Sequence, residues 1–286
     1  GVRDTVIGGT TAADRNVIAG HPESGIAVQA GGTGTRILGN YIGTDATGQV
    51  AIGNGVGIGL WGTDTGTLIG GSQAGAGNVI SGNLKDGIFI GEGTVGVTIR
   101  GNLVGLAADG ITVLPNGWTG IAIEDAQDIL VGTDGDGVDD AAEGNVIIAP
   151  HSTAIGISGA TATGNTVAGN RIGTDRSGGV APDGYIGVRI QSGAYGNRIG
   201  GPLATQANVI AGTSAGGVSV AATAGTGNTI LGNGFIGNTG LAIDLGDDGP
   251  TANDPWDADT GPNDLQNRPT IDDVLADGTN SRIRGS

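Results

Sequence analysis

Acidic residues gather in two places along this chain. Asp134, Asp136, Asp139, Asp140 and Glu143 fall close together, and Asp244, Asp247, Asp248, Asp254, Asp257 and Asp259 follow one another towards the C-terminal end. Clustered carboxylates interleaved with Gly suit a calcium ion, which takes roughly six to eight oxygen ligands in flexible geometry. The first stretch opens Asp-x-Asp but departs from the EF-hand pattern, with Val138 at its fifth position and Asn145 at its twelfth. Both stretches are candidate calcium sites, and calcium at the second would order a tail with little apolar content. The other reading of each is a solvated acidic loop.

The elements that would position these residues follow from a repeat. Gly-Ile-x-Ile signals recur with first apolar residues Ile26, Ile58, Ile88, Ile121, Ile155, Val188, Val218 and Leu241. They lie 30 to 34 residues apart, except the last pair at 23. Such a period marks one turn of a stacked architecture. Each unit holds three short apolar segments, as in Gly25-Ile26-Ala27-Val28, Thr35-Arg36-Ile37 and Asn40-Tyr41-Ile42. Their alternation has period 2 and their residues are β-branched, so they read as strands. Loops are inserted alternately after the third segment (Gly43–Gly48, Gly173–Gly178) and after the second (Gly70–Gly75, Gly200–Thr205). Three strands per turn joined by Gly and Asn corners predict an all-β, parallel β-helix of about eight turns.

Asn opens the third strand at Asn16, Asn40, Asn78, Asn102, Asn145, Asn170, Asn208 and Asn233. Asn tolerates the left-handed backbone of a sharp corner, and stacked Asn side chains can bond from turn to turn.

The phrases Asn78-Val79-Ile80-Ser81-Gly82-Asn83 and Gly87-Ile88-Phe89-Ile90 resemble repeats of right-handed parallel β-helix proteins of the pectate-lyase-like superfamily. More narrowly, residues 4 to about 245 are similar to β-helix regions of large secreted bacterial surface proteins. The tail Ile243-Asp244-Leu245-Gly246-Asp247-Asp248-Gly249, continuing to Asn263, resembles the segment that follows the helix there. The resemblance implies a right-handed solenoid, an extracellular or cell-surface location, and a structural or adhesive role. Residues 1–245 are thus expected to form the solenoid, and 246–286 an irregular acidic segment or cap leading into a further domain.

The same superfamily contains lyases, hydrolases and epimerases, so the walls must be searched for chemistry. The outward positions of the Gly-Ile wall read Ala27, Gly59, Phe89, Ala122, Gly156, Arg189, Ser219 and Ala242, with no carboxylate. The second wall reads Arg36, Leu68, Thr98, Leu130, Thr166, Arg198 and Thr229, also without an acid. Glycoside hydrolysis needs two carboxylates at a set separation, and neither wall supplies them, so no catalytic residue is assigned. His21 and His151 share a repeat position but stand four turns apart, roughly 19 Å, too far for one metal. Trp118 and Tyr185 are equivalent in the repeat and two turns apart, a candidate aromatic edge for sugar rings or a pair packed under loops. A carbohydrate-active or glycan-binding module is therefore the alternative function, with polysaccharide as partner.

The third wall is apolar on its outward side: Val17, Tyr41, Val79, Leu103, Val146 and Val209, interrupted by Arg171. Such a stripe calls for a cover. The cover is either the long loops or another copy or neighbouring domain, and in the second case these residues form an interface.

Composition narrows the partners. A formal net charge of −16 over 286 residues leaves no basic footprint for nucleic acid or anionic membrane. No apolar stretch is long enough to insert in a membrane, and zero Cys excludes disulfides and thiolate metal sites. The lack of Met, a start in mid-turn at Asp4-Thr5-Val6-Ile7 and an end just past Ser281-Arg282-Ile283-Arg284, which reads as a new strand, predict a piece of a longer chain.

Overall fold

The computed structural model describes residues 3–29, 31–62, 65–181, 184–256, 260–266, 271–276 and 281–285. It contains three parallel sheets of eight strands each. The first wall stacks Ser24–Gln29, Val56–Trp61, Ile88–Ile90, Ile121–Glu124, Thr153–Ser158, Gly184–Gln191, Thr213–Ala221 and Leu241–Gly246. The second runs from Val6–Gly8 to Thr229–Leu231, and the third from Val17–Ile18 to Gly234–Ile236. Every strand pairs with its counterpart one turn away, as a parallel β-helix requires. A separate antiparallel pair, Ile271–Ala276 with Ser281–Gly285, follows. The strand expected at Ser281 is present, though its partner is this hairpin mate.

Period-2 alternation sends one residue inward and the next outward. The inward columns are Ile58, Ile88, Ile121 and Ile155 on the first wall, Ile37, Ile69 and Ile99 on the second, and Ile42, Ile80 and Ile147 on the third, all fully buried. Burying each such side chain contributes about 1.5–3 kcal/mol. The outward ladders of the second and third walls match the sequence pattern: Arg36, Leu68, Thr98 and Leu130 stack, as do Tyr41, Val79, Leu103 and Val146.

The Asn corner is a continuous hydrogen-bonded ladder. Each Asn from Asn16 to Asn208 donates its Nδ2 to the Oδ1 of the next, at 2.8–3.1 Å. From Asn40 on, the same Nδ2 also caps a strand carbonyl of the turn before, as Asn78 does for Ile37 at 2.8 Å. Buried amides are tolerable because their hydrogen bonds are made. The left-handed backbone expected of Asn at this corner is not found, since none of these eight has a positive φ. The left-handed residue is the Gly before them, at Gly39, Gly101, Gly169 and Gly232 (φ 64° to 72°). At Gly39 a Cβ would meet the Gly9 carbonyl oxygen at 2.1 Å, so no side chain fits.

Two further ladders run along the other corners. One joins Asn54, Asn83 and Asn116. The other joins Asn165, Asn197 and Asn228, and then leaves the repeat: Asn228 N–H donates to Asn263 Oδ1 at 3.0 Å. Asn263 belongs to the C-terminal segment, which thereby docks on the last turn. Between them lies a cavity of about 530 Å³ lined by Ile230, Leu241, Leu245, Pro250, Asn263 and Leu265.

The last turn corrects one register. The repeat spacing sets Leu241 opposite Val218, but Val218 pairs with Ile243 and Ser219 with Asp244. Leu241, Ile243 and Leu245 alternate, and alternation fixes which face a residue takes without fixing which partner it meets two residues along. The outward ladder of the first wall therefore ends on Asp244 rather than Ala242, and that wall does carry a carboxylate.

Candidate functional site

The first acidic stretch lies in a loop between a second-wall and a third-wall strand. Similar loops stack above and below it: Ser72 donates to Asp139 Oδ2 at 3.2 Å, and Gln206 Nε2 to the Asp134 carbonyl at 3.3 Å. Asp139, at φ 59°, turns the chain into the short helix Asp140–Glu143. That helix brings Asp134, Asp140 and Glu143 together, with carboxylate oxygens all within 4.8 Å. Asp136 and Asp139 do not join them. Arg100 forms an ion pair with Glu143, whose other oxygen accepts from the Asp134 N–H at 3.3 Å. Asp140 accepts from Thr133 Oγ1 at 3.0 Å and from the Gly137 N–H at 3.3 Å. No buried carboxylate oxygen of this trio lacks a donor.

The second acidic stretch divides. Asp257 and Asp259 lie outside the described residues. Asp254 is half-buried in the docked segment. Asp244, Asp247 and Asp248 sit at the end of the first wall. Asp247, at φ 65°, folds back over the wall, where its carboxylate takes Arg189 and the Ser219 hydroxyl. Asp244 is buried, and its Oδ1 has no partner. Burial pushes the Asp244 carboxyl up and the charges of Asp247 and Asp248 add to this, against backbone N–H groups of Gly249 and Asp247 that pull it down.

The apolar stripe of the third wall is covered by the protein itself. Val79, Leu103 and Val146 are buried, in a second small core with Leu106, Ile148 and Ala181. The interface reading of these three is thus corrected. The cover comes from three hairpin arms, bridged at Thr44–Ala51, Leu106–Val113 and Thr174–Val180. The arms hold one another, Ala108 N–H to the Gly48 carbonyl and Arg176 N–H to the Gly110 carbonyl, both 2.9 Å. Tyr41 lies beneath the Arg15 guanidinium, 4.0 Å from its ring centre, and Val209 is half-buried. Of the stripe's apolar residues, Val17 alone is exposed.

Trp118 and Tyr185 are not packed away, at 56% and 46% exposure. Lys85 Nζ stands 5.3 Å from the Trp118 ring centre. Beside Trp118, buried Asp86 accepts the Thr119 N–H at 3.0 Å, and burial pushes its carboxyl up against that bond. The Glu124 carboxyl is raised by partial burial, then by the charges of Asp86 and Asp125. Sequence reasoning missed Asp86 and Glu124 because they stand outside the central outward column, at the two ends of first-wall strands.

Comparison with known proteins adds no relative: no family model matches the chain, no curated protein is similar to it, and no solved structure matches it. Among the described residues no helix is long and apolar enough to cross a membrane.

Proposed function

We propose that the chain is a rigid structural or adhesive module of an extracellular or cell-surface assembly. The observation that carries this is the unbroken hydrogen bonding along the axis, in which three eight-stranded sheets are laced by Asn ladders. Eight turns at roughly 4.8 Å give a rod about 38 Å long. The resemblance of its repeats to those of large secreted bacterial proteins supports the same reading. Neighbouring modules or other copies are its partners, meeting it on surfaces other than the covered third wall. Electron microscopy and light scattering of the purified chain, with a polysaccharide-cleavage screen, test this. Rod-shaped particles that leave every polysaccharide intact are expected, and new chain ends in any digest would overturn it.

A second reading rests on exposed Trp118, with Lys85 against its ring and Asp86 beside it, and on exposed Tyr185 two turns along. Exposed aromatic faces stack on sugar rings, and a carboxyl raised by burial can act as a proton donor. Binding of an acidic or neutral oligosaccharide on a glycan array, lost in Trp118→Ala, would favour this glycan-active reading.

A further inference from the structure

The end of the first wall carries an arrangement that the structural role does not use. Gly246, Asp247 and Gly249 all have left-handed φ, at 115°, 65° and 94°. They reverse the chain so that the outer face of the last strand is roofed by its own continuation. Under that roof Ser219 is 1% exposed and Asp244 8% exposed. Asp248 lies on the same face: a Cβ added to Gly246 would stand 2.8 Å from Asp248 Oδ1. The side chains of Asp244 and Asp248 thus share one face of the strand end, with only Gly246 between them on that face.

Asp244 feels the charges of Asp247 and Asp248, and the arginine at this end is taken by Asp247. Arg189 gives its Nη2 to Asp247. Its Nε and Asp244 Oδ1 are both buried and both unpartnered, so they do not reach each other. A buried carboxylate oxygen without a donor costs more than an ordinary hydrogen bond returns. Buried charges in proteins are paired or bind metal. The donor set is oxygen alone, with no His in reach and no Cys in the chain, which suits a hard cation rather than zinc or copper.

We propose that this turn binds a calcium ion, with Asp244 and Asp248 as its carboxylate ligands and Asp247 held aside by Arg189 and Ser219. The ion fastens the hinge between the last turn of the solenoid and the segment that Asn263 docks beneath it. Calcium then controls how firmly the end of the rod is closed, and so whether its last strands are offered to a neighbour.

The test uses the full chain, stripped with chelator and titrated with calcium chloride or magnesium chloride. Calorimetry and thermal unfolding are the readouts, with limited proteolysis of the segment after Gly249. One saturating calcium site is expected, half-filled at roughly 0.1–1 mM as in weak calcium modules, with a raised unfolding temperature and slower cleavage. Asp244→Asn and Asp248→Asn should each weaken binding by at least the roughly tenfold that loss of even an outer partner causes, while Asp134→Asn leaves it unchanged. Asp248 is exposed, so its variant keeps the test decisive if Asp244→Asn fails to fold. No calcium binding by the parent chain would overturn the proposal. So would magnesium acting equally well, or binding lost in Asp134→Asn and kept in Asp244→Asn.

Discussion

The loop around Asp140 and the turn around Asp244 are made of similar material, three carboxylates and one arginine each. They differ in how their buried oxygens are satisfied. In the loop, Arg100 reaches Glu143, and Thr133 with the Gly137 N–H serves Asp140. In the turn, Arg189 and Ser219 both serve Asp247, and Asp244 keeps an oxygen with no donor. The trio of the loop stands close enough to hold a metal ion, but its buried carboxylate oxygens already have donors. The loop gathers its acids more tightly and leaves a buried nitrogen, Arg100 Nε, unpartnered, while the turn leaves both Arg189 Nε and the carboxylate oxygen Asp244 Oδ1 so.

The largest effect should come from opening the closed member of this pair. Arg100→Leu leaves Glu143, 3% exposed, without its counter-ion. Losing one partner of a buried ion pair costs about 3–5 kcal/mol, read as a drop in the urea midpoint. The variant should also show calcium-dependent stability greater than the parent's, because its three carboxylates would then lack a counter-ion. A midpoint shift under about 1 kcal/mol would show that the pair behaves as a surface bridge, and the contrast between loop and turn would fail.

Sequence periodicity revealed the columns because burial is all-or-none on a β-helix wall. Ile37, Ile69 and Ile99 must point inward, and Arg36, Leu68 and Thr98 outward. The Asn16-to-Asn233 ladder was legible from its fixed place before each third strand. The other two ladders were not, since Asn54 or Asn165 seen singly looks like any loop residue, and Asn263 reaches its ladder from outside the repeat. Asp244 was named as an acid, but its place on the wall depended on the last register. Leu-x-Ile-x-Leu reads the same after a two-residue slip. The arms over Val79 and Leu103 were visible as insertions, yet their direction depends on the contacts between Gly48 and Ala108 and between Gly110 and Arg176, which lie dozens of residues apart.

A middle-sized effect separates the two acidic groups by ligand. Asp244→Asn removes a buried charge that has no counter-ion, so in chelator the variant should be more stable than the parent, by on the order of 1 kcal/mol. In saturating calcium the order should reverse, because only the parent gains binding free energy. The matching change in the loop, Asp134→Asn, should shift thermal unfolding relative to the parent by the same amount in both buffers. If Asp244→Asn is less stable than the parent in chelator as well, its carboxylate is satisfied by something other than a cation, and the turn is as closed as the loop.

The smallest effect concerns carboxylates that are exposed and fully bonded, the opposite extreme from Asp244. Asp45, Asp109 and Asp175 each sit at the bend of one covering arm. Thr47 Oγ1 and the N–H groups of Gln49 and Val50 donate to Asp45, at 2.8 to 3.1 Å. Ser177 and the Gly179 N–H do the same for Asp175, and Ile111 with Thr112 for Asp109. The hydrogen bond from Thr47 lowers the Asp45 carboxyl below its ordinary 3.8, that from Ser177 lowers Asp175, and the Ile111 N–H lowers Asp109. A lowered folded value means that the unfolded chain binds the proton more readily. The stability these bonds lend is thus complete above 3.8 and is lost as pH falls through the lower folded values. Amide resonances of Gln49 and Val50 should therefore move together in acid, with a midpoint below 3.8, before the core signals of Ile80 or Ile99 change. Asp45→Ala should abolish that titration and loosen only its own arm. If Val79 or Leu103 becomes exposed at the same time, the arms hold the third wall shut as one unit, and the bonded carboxylates matter to the core after all.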